Sequence, residues 1–295
     1  MTQVETPSGK SAATENFPVG SWLLPARLRP HVAVFYGFAR AIDDIADNPL
    51  LTPEDKVARL DGFARALGGE DPGSGFDKAT RLRDSLAATG VPIRHGLELI
   101  AAFKLDATKL RYADWTELID VYCMRSAAPV GRYLLDLHGE SRQGYAASDA
   151  LCNALQVLNH LQDCQDDFRQ LNRVYLPQDW LAEAGGRVEE LDAARASPAL
   201  RRVIDRCLDG VDDLLPLAGT LPGRLRSRHL ATESAIIVRI AEQLGRLLRR
   251  RDPLAGRVKL SRWSFLGCGL HGIGRVLLQR LGLGRPATAA EPRPS

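Results

Sequence analysis

The 295-residue sequence has little of what marks secreted, membrane-spanning or zinc-binding proteins. Its five cysteines are odd in number and form no CxxC pair, so neither a disulfide framework nor a zinc motif is indicated. It has no run of about 18 apolar residues and no signal-peptide core near its N-terminus. The net charge of +3 is too small to indicate extensive nucleic-acid binding. These absences favour a cytoplasmic protein in a reducing environment, without a nucleic-acid partner.

The two ends differ in composition from the rest of the chain. Residues 1–14 and 282–295 are rich in small, polar and proline residues, which bury too little apolar surface to offset the entropy lost on ordering. No linker of the kind that separates domains interrupts the sequence between them. We therefore expect a disordered N-terminus (1–14), a single α-helical domain (15–281) and a disordered C-terminal tail (282–295).

Apolar residues recur at three- and four-residue spacing between short Gly/Pro clusters, and the alternation typical of strands is nearly absent. The pattern predicts an all-α protein with helices near 30–47, 54–67, 77–88, 93–110, 114–137, 148–170, 198–216, 224–250 and 262–281. Pro129 and Gly131 lie inside the fifth segment. Because proline removes a backbone donor, we expect there either a break between two packed helices or a kink that lines a cavity.

Two groups of aspartates lie on predicted helices. The first acidic cluster is Asp43, Asp44 and Asp47, in "RAIDDIAD", and the second is Asp163, Asp166 and Asp167, in "DCQDD". Residues four apart lie on one helix face, and the rows that end in the first and last aspartate of each cluster begin with apolar residues. These four aspartates are therefore predicted to face a cavity, where bare carboxylates need cations.

Magnesium accepts one or two carboxylates and completes its octahedron with water and phosphate oxygens. Two facing aspartate pairs therefore suggest a diphosphate held through Mg²⁺. Spacing alone is weak evidence, since 36 acidic residues in 295 produce roughly four such pairs by chance, mostly on solvated helix faces. The context adds weight, because Tyr36 and Arg40 precede the first cluster and Gln156 and Asn159 precede the second.

The segments "YGFARAIDDIAD" and "QVLNHLQDCQDDFRQLNRVYLP", in this order and separation, resemble the squalene/phytoene synthase family of trans-isoprenyl diphosphate synthases. "NFPVGSWLLP" and "YCMRSAAPVG" extend the resemblance over about residues 15 to 260. It implies a single-domain helical bundle around a central cavity. Within the family, "ENFPVGSWLLP" and "AAPVGR" are most similar to the branch that forms hydroxysqualene in bacterial hopanoid biosynthesis.

The resemblance also implies roles for the residues that match the family motifs. The magnesium ligands, which would also be catalytic, are Asp43, Asp47, Asp163 and Asp167, with Asp44 and Asp166 as secondary candidates. Arg40 would contact the diphosphate, and Tyr122 would lie in the cavity wall near the reacting carbons. The remaining substrate-binding residues would be Tyr36, Asp44, Gln156, Asn159, Arg173 and Tyr175.

This sequence departs from the family pattern where cations are expected. Glu15 and Asn16 stand where many members carry basic residues, and Gln162 stands where an arginine usually precedes the second motif. Fewer cations favour a substrate with one diphosphate over two. The resemblance therefore implies conversion of presqualene diphosphate to hydroxysqualene, with Mg²⁺ as cofactor, water capturing the cation and no need for NAD(P)H.

Two other functions remain open from the sequence. One is head-to-head condensation to presqualene diphosphate, squalene or phytoene; the other is a catalytically silent helical protein that binds isoprenoids or membranes. Three residues are candidates to aim the capturing water: His160, Glu15 and Asn16. The basic amphipathic stretch 256–286 either docks peripherally on the inner face of the membrane or packs on the core as a last helix.

Overall fold

A computed structural model describes residues 4–5, 24–71 and 73–261 of the chain. Its α-helices, in chain order, are α1 (Arg29–Asp47), α2 (Pro53–Gly68), α3 (Asp77–Thr89), α4 (Arg94–Thr108), α5 (Met124–Ser126), α6 (Ala128–Leu137), α7 (Tyr145–Leu171), α8 (Gln178–Glu183), α9 (Pro198–Ala218), α10 (Leu221–Arg224) and α11 (Arg228–Arg250). A π-helical segment, Glu117–Cys123, precedes α5. Within these ranges the only β-type pairing is one isolated parallel bridge, Arg111 to Val174. The all-α prediction is confirmed.

Several predictions lie wholly or partly outside the described residues: those for the N-terminus (1–14), Glu15 and Asn16, the last helix (262–281), the tail (282–295) and most of the basic stretch 256–286. Of the N-terminal residues 1–14, the structure describes Val4 and Glu5. Arg59 donates to the Val4 carbonyl oxygen at 2.9 Å, and Lys78 pairs with Glu5 at 2.7 Å. Val4 also packs against the core.

Pro129 divides the predicted helix 114–137. The helical path stops at Ala127, and Pro129 lies in the first turn of α6, where its missing N–H costs nothing. Residues on both sides of the break, including Ser126 and Gly131, line the central chamber. The sequence allowed either a break between two helices or a kink that lines a cavity. The structure has a break between two helices, and the residues at this break line the cavity. The six-residue α8 escaped prediction because it is shorter than the window that a helical period requires.

Helix α7 is the central element, with 27 residues and a length of about 40 Å at 1.5 Å per residue. It packs against α6, α9 and α11. Helix α11 runs beside it in the same direction: the backbone N–H of Ser227 donates to Glu140, just before α7, at 2.6 Å, and the Val258 carbonyl accepts from Gln162 near the end of α7. The first turns of α11 therefore lie level with the first turns of α7.

In the part of the chain that the structure describes, every helix is too short or too polar to cross a bilayer. The predicted peripheral contact with a membrane rests on a segment that lies mostly beyond these residues and stays a prediction.

We expect Gly210→Ala to destabilise the fold. A methyl group at this position in α9 would overlap the indole ring of Trp115, which is itself stacked on Trp180 with ring centroids 5.3 Å apart. Such overpacking costs about 1–3 kcal/mol. The control is Gly37→Ala in α1, where no heavy atom lies near the new methyl group, and a gain of about 0.5–1 kcal/mol is expected. Urea unfolding measures both, and equal effects would contradict this packing.

Candidate functional site

The structure contains a central chamber of about 400 Å³. One stripe of α1, from Val32 to Asp47, and one stripe of α7, from Ser148 to Leu171, line it at three- and four-residue spacing. The break before α6 and the first turns of α11 complete its walls. Because both stripes begin with mainly apolar residues and become acidic toward their ends, the chamber has an apolar end and an acidic end.

Eleven of the twelve predicted site residues line this chamber: Tyr36, Arg40, Asp43, Asp47, Tyr122, Gln156, Asn159, Asp163, Asp167, Arg173 and Tyr175. Asp44 is not among the lining residues; its carboxylate accepts a bond from Arg40 at 2.8 Å. Asp166 is exposed on the outer face of α7. The helical spacing therefore brings together the aspartates that it predicted to face inward.

Both acidic clusters lie within the last three turns of a helix, α1 or α7. The carbonyl end of a helix carries a partial negative charge, so carboxylates there need cations more than elsewhere. In the first cluster, Arg40 pairs with Asp43 at 2.5 Å and with Asp44 at 2.8 Å, and Arg173 pairs with Asp47 at 2.6 Å. Protein cations thus compensate this cluster.

The second cluster is compensated less completely. His160 Nδ1 lies 3.9 Å from the Asp167 carboxylate. Burial, and then the negative charge of Asp167, raise the pKa of Asp163, while Arg257 opposes this rise. Asp163 and Asp167 are four residues apart on one face of α7, and two neighbouring carboxylates that repel each other are a suitable site for an added cation.

The donor set fits a hard divalent cation that keeps ligands from outside the protein. Among the described residues, no group of three or more His, Cys, Asp or Glu side chains is close enough to enclose one ion. Magnesium commonly takes only one or two protein carboxylates and leaves its other positions to water and phosphate. The pairs Asp43/Asp47 and Asp163/Asp167 meet that requirement.

Asp106 is a central residue of the site that the sequence reading missed. Its carboxylate is 3% exposed and accepts hydrogen bonds from the hydroxyls of Tyr122 at 2.8 Å and Tyr175 at 2.7 Å. His160 stacks on Tyr175 with ring centroids 3.6 Å apart. Asp106 lies in an apolar helix without an acidic neighbour four residues away, so no local pattern distinguished it.

Arg173 connects this group to the first acidic cluster. It donates to the backbone oxygens of Asp106 at 2.9 Å and Ala46 at 2.7 Å, in addition to Asp47. Burial tends to lower the pKa of Arg173, but the charges of Asp106 and Asp47 outweigh it and raise that pKa. Burial raises the pKa of Asp106, and Arg173 and the two tyrosines oppose the rise. The site is therefore a connected, buried hydrogen-bond network.

Glu233 is a second residue that the sequence did not single out. It lines the chamber from α11, is 5% exposed, and its Oε2 atom has no hydrogen-bond partner among the described residues. Burial alone raises the pKa of this carboxyl to about 7. Gln162, which stands in the family's arginine position, donates to the carbonyl oxygen of Val258, in the segment that follows α11.

Comparison with known proteins identifies the family. The model of the family described as squalene/phytoene synthase matches residues 11–264. The chain belongs to this family. It is 42% identical to the hydroxysqualene synthase of Rhodopseudomonas palustris over 98% of both chains, and 44% identical to that of Sinorhizobium fredii over 89% of this chain and 88% of the other.

A solved structure agrees with this assignment. The squalene synthase HpnC from Alicyclobacillus acidocaldarius superimposes with a TM-score of 0.69 at 32% identity, covering 81% of this chain and 90% of that chain. Squalene/phytoene synthases generally depend on a divalent metal ion, which agrees with the carboxylate pairs in the chamber.

In this squalene/phytoene synthase, we expect Arg173→Lys to lower the free energy of unfolding by about 1–3 kcal/mol. A lysine ammonium cannot reproduce the forked donation to Asp47 and two backbone oxygens. Arg169→Lys, in an exposed pair with Asp192, is the control and should change stability by less than about 0.5 kcal/mol. Urea unfolding gives both values. Equal losses of unfolding free energy in the two variants would show that the buried hydrogen bonds of Arg173 stabilise the fold no more than an exposed ion pair does.

We expect Glu233→Gln to change how stability depends on pH. The carboxyl has a pKa of about 7 when folded against 4.5 ordinarily, so the folded state holds its proton more tightly and the native chain loses stability as pH rises from 4.5 to 7. The variant lacks this loss. Its stability relative to the native chain should therefore grow between pH 5 and pH 8 by roughly 3 kcal/mol at most. Chemical unfolding at pH 5 and pH 8 measures the difference in the free energy of unfolding between the variant and the native chain. A difference that is the same at both pH values would contradict a raised pKa for Glu233.

Proposed function

We propose that the chain is a hydroxysqualene synthase, which converts presqualene diphosphate and water into hydroxysqualene and diphosphate. The proposal is supported by the 42% and 44% identity to proteins of that name over most of the chain. The observation that carries it is the arrangement of one chamber. Four aspartates from two helices line one end, and predominantly apolar side chains line the rest.

In this proposal Asp43, Asp47, Asp163 and Asp167 would hold Mg²⁺ at the acidic end, and the metal would in turn bind the substrate diphosphate. Bound Mg²⁺ supplies positive charge that favours departure of the diphosphate. Arg40, already at the chamber wall, donates to phosphate oxygens with a planar fork suited to them. Tyr36, Gln156 and Asn159 line the same region and would orient the diphosphate.

The reaction then requires that bulk water is kept away from the carbocation and that a single water molecule reaches it. When the carbon–oxygen bond breaks, the electron pair leaves with the diphosphate and a cyclopropylcarbinyl cation remains. Apolar side chains such as Leu155 exclude bulk water while this cation rearranges. Water oxygen forms the new carbon–oxygen bond, and a proton is released to a base. His160 lines the chamber beside Tyr122 and Tyr175 and is our candidate to position this water.

In this proposal Tyr122 stabilises the cation, and Tyr175 belongs to the same hydrogen-bonded group. Burial raises the pKa of both hydroxyls well above the ordinary value, and the neighbouring Asp106 charge adds to the rise. The tyrosines therefore stay neutral, and the ring of Tyr122, at the chamber wall, would attract a nearby cation, while His160 covers one face of the Tyr175 ring. Asp106 would hold both rings by accepting their hydroxyl protons in hydrogen bonds.

We expect Asp163→Asn to reduce Mg²⁺-dependent diphosphate release from presqualene diphosphate by at least about 100-fold, because one carboxylate ligand and its charge are lost. Asp166→Asn is the matched control, since this exposed carboxylate lies three residues away on the outer face of α7. It should retain activity within about twofold. Release that is unchanged in Asp163→Asn would favour a catalytically silent binding protein.

Product analysis separates the proposed activity from its nearest rival. Purified protein with Mg²⁺ is incubated with presqualene diphosphate and, separately, with farnesyl diphosphate, both without NAD(P)H. We expect hydroxysqualene from the first, with its hydroxyl oxygen labelled when the water is ¹⁸O-enriched. Consumption of farnesyl diphosphate alone, with a thirty-carbon product, would assign the chain to the condensing reaction instead.

A further inference from the structure

Glu233 is a buried carboxyl in the chamber wall, and among the described residues no charged side chain compensates it. It is 5% exposed, and within the described part of the chain its Oε2 atom meets no donor. Burial is the cause of its raised pKa, with no contribution from a charged neighbour. The adjacent Ser234 also lines the chamber and is 5% exposed. A buried polar group of this kind requires water or a ligand as its partner.

The position of Glu233 is remote from the acidic end. It lies in the second turn of α11, and the start of α11 is tied to Glu140, just before α7. A Cβ at Gly245, near the end of α11, would touch Leu158 in mid-α7; because Glu233 lies twelve residues before Gly245, it is level with the first turns of α7. From Ser148, in that region, to Asp163 is about 22 Å at 1.5 Å per residue. Glu233 and the acidic clusters therefore lie at opposite ends of the chamber.

Apart from Glu233 and serines such as Ser234, the walls in this region are suited to hydrocarbon. Leu221, Leu230 and Ile237, from α10 and α11, line the same region. A hydrocarbon chain that enters this region as far as Glu233 would displace the water on its carboxyl group and offer no hydrogen bond in return. Such an exchange is unfavourable for a neutral carboxyl and more so for a carboxylate.

We propose that Glu233 sets the far limit of the isoprenoid chain, so that the chamber favours fifteen-carbon arms over twenty-carbon arms. This inference rests on the proposed function, because diphosphate binding at the acidic end fixes the head of the chain. Each additional five-carbon unit then extends toward α11. Selectivity arises from the penalty on the longer arm and not from a stronger contact with the shorter one.

The test compares the binding of two unreactive probes, farnesyl thiodiphosphate and geranylgeranyl thiodiphosphate, to the full chain with Mg²⁺ by calorimetry. The native chain should prefer the shorter probe. Glu233→Leu should raise the affinity for the longer probe relative to the shorter by roughly tenfold to a hundredfold. Glu233→Gln keeps the size of the side chain and removes only its charge, so a smaller change in the same direction is expected.

Glu242→Leu is the matched control. It lies on the same helix, where its carboxylate pairs with Arg239 at 2.6 Å and is not among the residues that line the chamber. Its ratio of affinities should equal that of the native chain. Because Oε2 of Glu233 has no hydrogen-bond partner to lose among the described residues, melting temperatures of its variants should equal or exceed the native value at neutral pH.

The outcomes separate the two proposals. If both probes bind the native chain and lose affinity in Asp163→Asn, but their ratio is unchanged in Glu233→Leu and Glu233→Gln, the inference on Glu233 is wrong and the proposed function stands. If neither probe binds, or if Asp163→Asn binds them as well as the native chain does, the proposed function fails and the inference fails with it.

Discussion

Negative charge at the ends of two helices is the constraint around which this site is built. Asp43 and Asp47 end α1, and Asp163 and Asp167 lie near the end of α7, where the helix carbonyls add their own negative potential. A folded chain tolerates this arrangement only with cations nearby. Arg40 and Arg173 serve the first cluster, and the second is left with weaker compensation. A metal-bound diphosphate is therefore a ligand that this end of the chamber is suited to accept.

The segment after α7 connects the acidic end of the chamber to the neighbouring part of the fold. Asn172 adopts a left-handed conformation with φ of 51°, which turns the chain back along residues 110–112. The backbone N–H of Val174 donates to the Leu110 oxygen at 3.0 Å, and Arg111 donates to the Asn172 side chain at 2.7 Å. This short pairing directs Arg173 and Tyr175 inward, onto Asp106 and Asp47. Arginine, tyrosines and aspartate thus form one buried unit.

At the acidic end, the residues around the site also stabilise the fold. At the opposite end, the residue to which we assign a function, Glu233, lowers stability. A carboxyl without a partner reduces stability, and exchanging Glu233 for an apolar residue should stabilise the fold. A carboxyl that lowers the stability of the protein without ligand is explained if its role is to act on the bound ligand. If both proposals hold, the two ends of the chamber act on different parts of one substrate: the aspartates on its head and Glu233 on the length of its tail.

The sequence by itself determined the helical class, most helix positions and the inward face of the acidic clusters, because these depend on local periods of 3.6 residues. It also carried the family motifs, which the matched family confirms. It did not reveal Asp106 or Glu233. Neither belongs to a local pattern, and each acquires its meaning from side chains or cavity walls on other helices, so only the packing of α4, α7 and α11 around the chamber decided what they do.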